Sequence, residues 1–215
     1  MKPQTAGLSP IEDLFDRDFV PSYVRQVSER SAGKKVAFLA RLLSEAECKR
    51  LIRYTERLGY EPLEGYDPRY RSNTRVIVHS HEVADIIFDR VKAMVPAEIS
   101  KRLRGKWSLK ECNGRWRFCR YTPGQHFSGH YDGSFEESPH CRSFITLNLY
   151  LNGGFEGGHT RFLNRQTKEV IDQVTPEPGL ALVFDHDIWH DGEALGKGGS
   201  GVKYLMRTDI MYETT

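Results

Sequence analysis

Hydrophobic periodicity divides the chain into a helical part and a strand-rich part. Over residues 43–58, apolar positions recur at helical spacing after Ser44, which can cap a helix, and before Gly59. A second apolar stripe covers about 82–94 and ends ahead of Pro96. Both patterns predict amphipathic helices that pack against a sheet.

After Gly105 the pattern changes to short runs of β-branched and aromatic residues, separated by glycine and proline. These runs predict strands at 107–110, 116–121, 144–151, 160–163, 169–174, 180–184 and 202–212. Helices followed by many short strands indicate an α+β protein whose second half is an antiparallel sandwich or jelly roll.

One predicted strand, at 144–151, has a polar face. Thr146, Asn148 and Tyr150 point to one side, and the leucines between them point to the other. A strand at the centre of a sheet normally uses both faces for packing, so the polar face predicts the wall of a cavity. A solvent-facing strand is the alternative.

Length and composition favour one domain. The chain has 215 residues, of which 39% are hydrophobic and 28% charged, and no apolar run approaches the roughly 20 residues that a membrane span needs. Residues 1–35 lack sustained periodicity and are predicted to form a partly ordered arm. We expect residues 36–215 to form a single domain, with helical support over about 43–103 and the strand-rich unit over about 105–213.

Charge and cysteine usage limit the partners and the compartment. The formal net charge of +2 is too small to indicate binding to nucleic acid or to a membrane surface. The N-terminus lacks the apolar stretch of a secretory signal, so we expect a cytoplasmic protein with reduced cysteines. The four cysteines show neither metal-binding nor redox spacing and are predicted to be structural: Cys48, Cys112, Cys119 and Cys141.

Histidine and aspartate spacing predicts a metal site. His130 and Asp132 lie two residues apart, which puts both side chains on one face of an extended chain. His190 follows the strand at 180–184 and can supply a third ligand, with His186 as a rival in the preceding loop. Two imidazoles and one carboxylate leave three positions open on an octahedral ion, an arrangement that suits Fe(II) and oxygen chemistry.

Several motifs in chain order strengthen this interpretation. They are Arg-Tyr-x-x-Gly-Gln-x-Phe-x-x-His-x-Asp at 120–132, Tyr-Leu-Asn at 150–152, Gly-Gly-x-Thr at 157–160, the run from Pro176 or Pro178 to Phe184, His-Asp-Gly-Glu at 190–193, Gly-Val-Lys-Tyr at 201–204 and Arg-Thr-Asp at 207–209. Together they cover roughly residues 70–215. This ordered set resembles the prolyl 4-hydroxylase-like group of iron- and 2-oxoglutarate-dependent dioxygenases.

The resemblance implies a double-stranded β-helix, the cupin-like form of the jelly roll, with the N-terminal helices packed on the outer face of one sheet. It implies Fe(II) at His130, Asp132 and His190, with 2-oxoglutarate as cosubstrate, O2 as oxidant and ascorbate as a further candidate cofactor. Lys203 would pair with the distal carboxylate of 2-oxoglutarate, and Tyr121 and Tyr150 would be its hydrogen-bonding neighbours.

The chain departs from the family pattern at two places. Lys203 lies thirteen residues after His190, a long interval that we attribute to an extended turn at 196–200. Arg207, on the same strand face, is the other candidate anchor, although contact with substrate or with Asp209 is the preferred interpretation. His159 stands where the family carries an acidic residue, and we expect an exposed loop histidine.

The leading functional hypothesis is a hydroxylase that attacks a C–H bond of a peptidyl or free amino acid and releases succinate and CO2. Proline as the target rests on the resemblance alone. Alternatives are a hydroxylase of another small metabolite, a non-catalytic metal-binding jelly-roll module, and a cupin-like metalloenzyme such as an isomerase. The candidate substrate residues are Asn148, Arg142, Arg207 and Arg75. Asp191 and Glu193 are candidates for orienting the imidazoles, with solvated loop acids as the alternative.

Overall fold

The computed structural model describes residues 8–27, 35–101, 105–198 and 201–214. Predictions for residues 1–7 and 28–34 of the arm, and for positions 199 and 200 of the extended turn, lie outside the described residues. The described helices are a 3-10 helix at Ile11–Leu14, α1 at Glu45–Leu58 and α2 at His81–Val91. The described strands are β1 (Ser22–Gln26), β2 (Ala37–Arg41), β3 (Glu61–Pro62), β4 (Thr74–His79), β5 (Glu98–Lys101), β6 (Gly105–Cys112), β7 (Arg115–Tyr121), β8 (Phe127–His130), β9 (Glu136–Ser138), β10 (Cys141–Tyr150), β11 (Thr160–Leu163), β12 (Val170–Val174), β13 (Leu180–Asp185), β14 (His190–Gly192) and β15 (Lys203–Glu213).

Local capping explains where α1 begins and ends. The Ser44 hydroxyl accepts a hydrogen bond from the Glu47 amide, and the Glu47 carboxylate accepts one from the Ser44 amide, which completes a capping box. Gly59 ends the helix with a φ of 86°, which favours glycine. Glu47 also pairs with Arg90 of α2 at 2.7 Å, and both side chains are buried. This ion pair joins the two helices beneath the surface.

Two sheets form the body of the protein. Within the described ranges, the larger sheet has the order β1-β2-β13-β10-β15-β7-β4-β3, with β5, β6 and β9 attached at its sides. The smaller sheet has the order β12-β11-β14-β8. Every pairing between these strands is antiparallel. The prediction of an α+β jelly roll is confirmed.

The hydrophobic core has two parts, one on each side of the larger sheet. On the outer side, Leu51 of α1 and Ile87 of α2 pack with sheet residues that include Leu147. On the inner side, Tyr150, Phe162 and other apolar residues fill the space between the two sheets. Because successive side chains of β10 point to opposite faces of the sheet, this strand contributes residues to both parts of the core. The helices lie on the outer face of one sheet, as predicted.

All seven predicted strands are present, with small shifts at their ends, and the structure adds further strands. β1 lies within the predicted arm and pairs with β2, which extends the larger sheet through β13. The segment expected to give helical support, 43–103, also contains β3, β4 and β5. None of the described helices has the length and apolar character needed to cross a membrane.

Candidate metal centre and adjoining cavity

The structure brings the three predicted ligands together. β8 and β14 are neighbours in the smaller sheet, and His130 lies opposite His190 in the register. Asp132 lies two residues after the end of β8. The nearest carboxylate oxygens of Asp132 lie 3.6 Å from His130 Nε2 and 3.7 Å from His190 Nε2, and the three ligand atoms lie within 4.8 Å of one another. These residues form a compact cluster at the inner face of the smaller sheet.

Backbone carbonyls orient both imidazoles. His130 Nδ1 lies 2.8 Å from the carbonyl oxygen of Ser128, and His190 Nδ1 lies 2.9 Å from that of Ile188. Because a carbonyl can only accept, each neutral ring carries its proton on Nδ1 and presents the Nε2 lone pair to the centre. Burial lowers the pKa of His190 to about 4, so this ring is neutral at physiological pH.

Aromatic rings fix the planes of the imidazoles. Phe127 stacks on His130 with a centroid distance of 3.6 Å, and Phe184 meets His190 edge-on at 4.7 Å. Side chains locked in this way hold metal ligands in place before the ion binds.

Asp132 is held as a carboxylate by its neighbours. Burial alone would raise its pKa, but the charge of Arg207 holds the pKa of Asp132 well below its usual value. Arg207 Nη2 lies 3.0 Å from one carboxylate oxygen, and the Thr146 hydroxyl donates to the other at 2.6 Å. The group is therefore charged and fixed in orientation.

His186 lies behind the cluster and is not part of it. Its Nδ1 lies 2.9 Å from the Thr146 hydroxyl, and its Nε2 lies 2.9 Å from the Ser143 hydroxyl. Burial lowers its pKa to about 4. Both ring nitrogens are thus used in hydrogen bonds, and the geometry favours His190 over His186 as the third ligand.

A cavity extends from the cluster to Lys203. The three candidate metal ligands line this cavity, and so do Tyr121, Asn148 and Lys203. Lys203 is 2% exposed, donates a hydrogen bond to the Gly158 carbonyl, and lies over the rings of Tyr121 and Tyr150. Burial lowers its pKa to about 8. Within the described part of the chain this ammonium group makes no ion pair at 4 Å or less.

Two of the four predicted substrate residues line this cavity. Asn148 is buried, and its Oδ1 has no hydrogen-bond partner in the described structure. Arg207 lines the cavity, but its guanidinium forms ion pairs with Asp132 and Asp209. Arg142 pairs with Glu136, and the structure does not place it or Arg75 among the lining residues.

Sequence reasoning missed Arg71, which lines the cavity. Its guanidinium lies 4.1 Å from the centre of the Phe127 ring and donates to the Cys119 sulfur at 3.7 Å. Arg71 lies in the loop before β4, and no local sequence pattern distinguishes it from Arg75 in that strand. Cys119 also lines the cavity, and all four cysteines are free and buried.

The acids beside His190 do not contact the imidazoles. Asp191 forms a bidentate pair with Arg161, and Glu193 pairs with Arg161 and with His159. Asp191 also lines the cavity. His159 is half-buried through its pairing with Glu193, so the expectation of an exposed loop histidine is wrong.

The donor set fits an Fe(II) site with an anionic cosubstrate. Two imidazole nitrogens and one carboxylate oxygen converge at the wall of the cavity and would hold a divalent ion there, and this donor set suits Fe(II). The buried ammonium group of Lys203 favours binding of an anion, because a buried charge without a counter-charge is unfavourable.

Comparison with known proteins agrees with this geometry. A model of the 2OG-Fe(II) oxygenase superfamily matches residues 116–208. A provisionally named prolyl 4-hydroxylase of Acanthamoeba polyphaga mimivirus is 37% identical over 73 residues, which are 30% of this chain and 28% of that protein. The chain thus matches less than a third of the length of this curated relative.

Solved structures show the same fold. The viral collagen prolyl hydroxylase of Paramecium bursaria Chlorella virus-1, as a 2OG complex, has a TM-score of 0.57 at 22% identity. The match covers 85% of this chain and 99% of the viral chain. A prolyl hydroxylase of Trichoplax adhaerens, in complex with a peptide fragment of the hypoxia inducible factor oxygen degradation domain, has a TM-score of 0.59 at 14% identity and covers 85% of both chains. The resemblance to the 2-oxoglutarate-dependent oxygenases is confirmed, as is the double-stranded β-helix, and these relatives are enzymes.

Proposed function

We propose that the protein is an Fe(II)- and 2-oxoglutarate-dependent hydroxylase that attacks a C–H bond of an amino-acid residue, with peptidyl proline as the first substrate to test. One observation carries the proposal. A single cavity holds the His130, Asp132 and His190 cluster and also the buried ammonium group of Lys203.

Each residue then has a defined task. His130 and His190 would bind the ion through Nε2, and Asp132 would bind it through a carboxylate oxygen. Lys203 would pair with the distal carboxylate of 2-oxoglutarate, between the rings of Tyr121 and Tyr150. When bound, iron and cosubstrate supply the oxidant through decarboxylation of 2-oxoglutarate to succinate and CO2.

Exposed aromatic rings favour a peptide over a small metabolite. Tyr70 contacts the cavity-lining Phe127 edge-on, and Tyr66 lies under the cavity-lining Arg71, while both tyrosines are about 40% exposed. Rings exposed in this way are typical of surfaces that bind peptides. The Trichoplax relative holds a peptide fragment, which supports the same choice.

The test is succinate release from the purified protein with Fe(II) and 2-oxoglutarate, with and without ascorbate. The panel contains proline-containing peptides, matched peptides with alanine at that position, free amino acids and small metabolites. We expect a proline peptide to increase succinate release and to gain one oxygen by mass spectrometry. His190→Ala, as the control, should abolish both signals.

Each alternative predicts a different result. A hydroxylase of another metabolite would respond only to the small molecules of the panel. A non-catalytic module would bind Fe(II) and release no succinate with any member. Turnover without an oxoacid would indicate a cupin-like metalloenzyme such as an isomerase.

A further inference from the structure

The outer face of the smaller sheet carries an unusual contact directly behind the two imidazoles. Gly129 precedes His130, and Trp189 precedes His190. A Cβ atom added to Gly129 would lie 2.9 Å from Cζ2 and 3.0 Å from Nε1 of the Trp189 indole. The φ of Gly129 is not positive, so the chain needs glycine here for space and not for backbone conformation.

The contact coincides with an irregularity in β8. His190 pairs with His130, whereas Gly192 pairs with Phe127, so β8 contains one extra residue between these two pairs. Such a β-bulge bends its strand and changes the direction of nearby side chains. Gly129 is part of the bulge, and the indole of Trp189 occupies the space beside it.

The same two segments supply the carbonyls that orient the imidazoles. The carbonyl of Ser128, one residue before Gly129, accepts from His130 Nδ1. The carbonyl of Ile188, one residue before Trp189, accepts from His190 Nδ1. A shift of the indole would therefore move the peptide groups that set the direction of both Nε2 atoms.

Further side chains hold the indole in place. Tyr131 meets Trp189 edge-on with a centroid distance of 4.9 Å. The guanidinium of Arg165 lies 5.4 Å from the indole centre, and the ammonium group of Lys168 lies 5.3 Å from it. Tyr131 stands between the ligands His130 and Asp132 in the sequence, so one of the side chains that cover the indole comes from the segment that carries the ligands.

We infer that Trp189 is a positioning residue for the metal centre. By filling the space that Gly129 leaves open, the indole fixes the β8 bulge and with it the Ser128 and Ile188 carbonyls, which aim both imidazoles at the ion. The inference rests on the proposed function for the identity of the ion, and it deepens that function by assigning a role to the outer face of the sheet.

The experiment uses two readouts that need no turnover. The first is imidazole ¹⁵N NMR of the metal-free protein, which reports whether His130 and His190 carry their protons on Nδ1. The second is a Co(II) titration followed by visible absorption. Gly129→Ala should disturb the Nδ1–H state of His130 and weaken Co(II) binding about 10- to 100-fold, as is typical when partners of metal ligands are lost.

Matched variants separate this role from a general structural one. Gly133→Ala, next to Asp132, adds a methyl group that would meet no atom within 4 Å and should change neither readout. In a Trp189→Leu background the ring atoms that meet the added methyl are gone, so Gly129→Ala should then cost little further Co(II) affinity. Trp189→Phe retains an aromatic ring and serves if Gly129→Ala does not fold. Its loss of Co(II) affinity should be smaller than that of Trp189→Leu.

The outcomes distinguish this inference from the proposed function. An unchanged imidazole spectrum and Co(II) affinity in both Gly129→Ala and Trp189→Leu would overturn the positioning role. An equal cost of Gly129→Ala with and without the indole would also overturn it. If instead the variants behave as expected but the wild type releases no succinate with any substrate, the proposed function fails and the positioning role stands.

Discussion

Arg207 Nη2 lies 3.0 Å from a carboxylate oxygen of Asp132, so a buried cation supports the carboxylate of the candidate metal centre. The same nitrogen lies 3.2 Å from Asp209, and Asp209 in turn pairs with Arg117 at 3.0 Å. Four charges thus alternate in sign from the cavity to the neighbouring strand β7. Such an arrangement balances the buried carboxylates before any ion binds.

We expect Arg207→Gln to lower the free energy of unfolding by about 3–5 kcal/mol, because Asp132 and Asp209 would lose a buried cation. Metal affinity should also fall, since the Asp132 carboxylate would lose a donor that fixes its orientation. Denaturant unfolding and Co(II) titration measure the two effects. Arg117→Gln removes a cation that pairs with Asp209 and not with Asp132. This variant should lower the free energy of unfolding and leave metal affinity unchanged. Equal loss of affinity in both variants would contradict this role of Arg207.

Thr146 joins Asp132 to the buried His186. Thr146→Val retains the side-chain shape but removes the hydroxyl that donates to Asp132 and contacts His186 Nδ1. We expect about 10- to 100-fold weaker metal binding, in line with the loss of other partners of ligands. Thr146→Ser retains the hydroxyl and should bind the ion nearly as well as the wild type. A serine variant as weak as the valine variant would show that the hydroxyl is not responsible.

The buried histidines predict how stability depends on pH. Burial lowers the pKa of His186 and of His190 to about 4, from an ordinary value of 6.5. Between these values the unfolded chain binds protons that the folded, metal-free protein does not. The free energy of unfolding should therefore fall as pH decreases from about 6.5 to about 4. Denaturant titrations across this range measure the slope, and His186→Gln should reduce it; an unchanged slope would exclude His186 as a contributor.

Much of the fold follows from local sequence signals. The capping box at Ser44 and the alternation of β10 depend on neighbours in the sequence, so both could be predicted. β8 and β14 were not predicted, because strands of four and three residues are too short to show periodicity. β2 is a short, almost wholly buried run, which periodicity cannot distinguish from a piece of helix.

The candidate site also contains residues that could be predicted from the sequence and one that could not. His130, Asp132, His190 and Lys203 occupy motif positions, and the structure brings them to one cavity. Arg71 could not be found, because its place beside Phe127 depends on how a distant loop folds over the sheet.

Lys203 should make 2-oxoglutarate binding depend on pH. Burial lowers the pKa of Lys203 to about 8, so the free protein loses this charge as the pH rises through that value. Affinity for the dianion should be constant well below pH 8 and should fall as pH rises through it. Calorimetric titration of the Co(II)-loaded protein measures the trend. Lys203→Met should bind weakly at every pH in this range, and a wild-type affinity without pH dependence would assign the anion to another residue.

Arg71 is expected to contact the substrate. It lines the cavity, whereas Arg75, four residues later, does not. Arg71→Gln should raise the KM for the substrate about tenfold or more, because a hydrogen bond to a charged group contributes about 1.5–3 kcal/mol. Co(II) affinity should not change. Arg75→Gln is the matched control, since it removes the same charge from outside the cavity, and an equal rise in KM would mean that general surface charge is responsible. A raised 2-oxoglutarate requirement in Arg71→Gln would instead place Arg71 at the cosubstrate end.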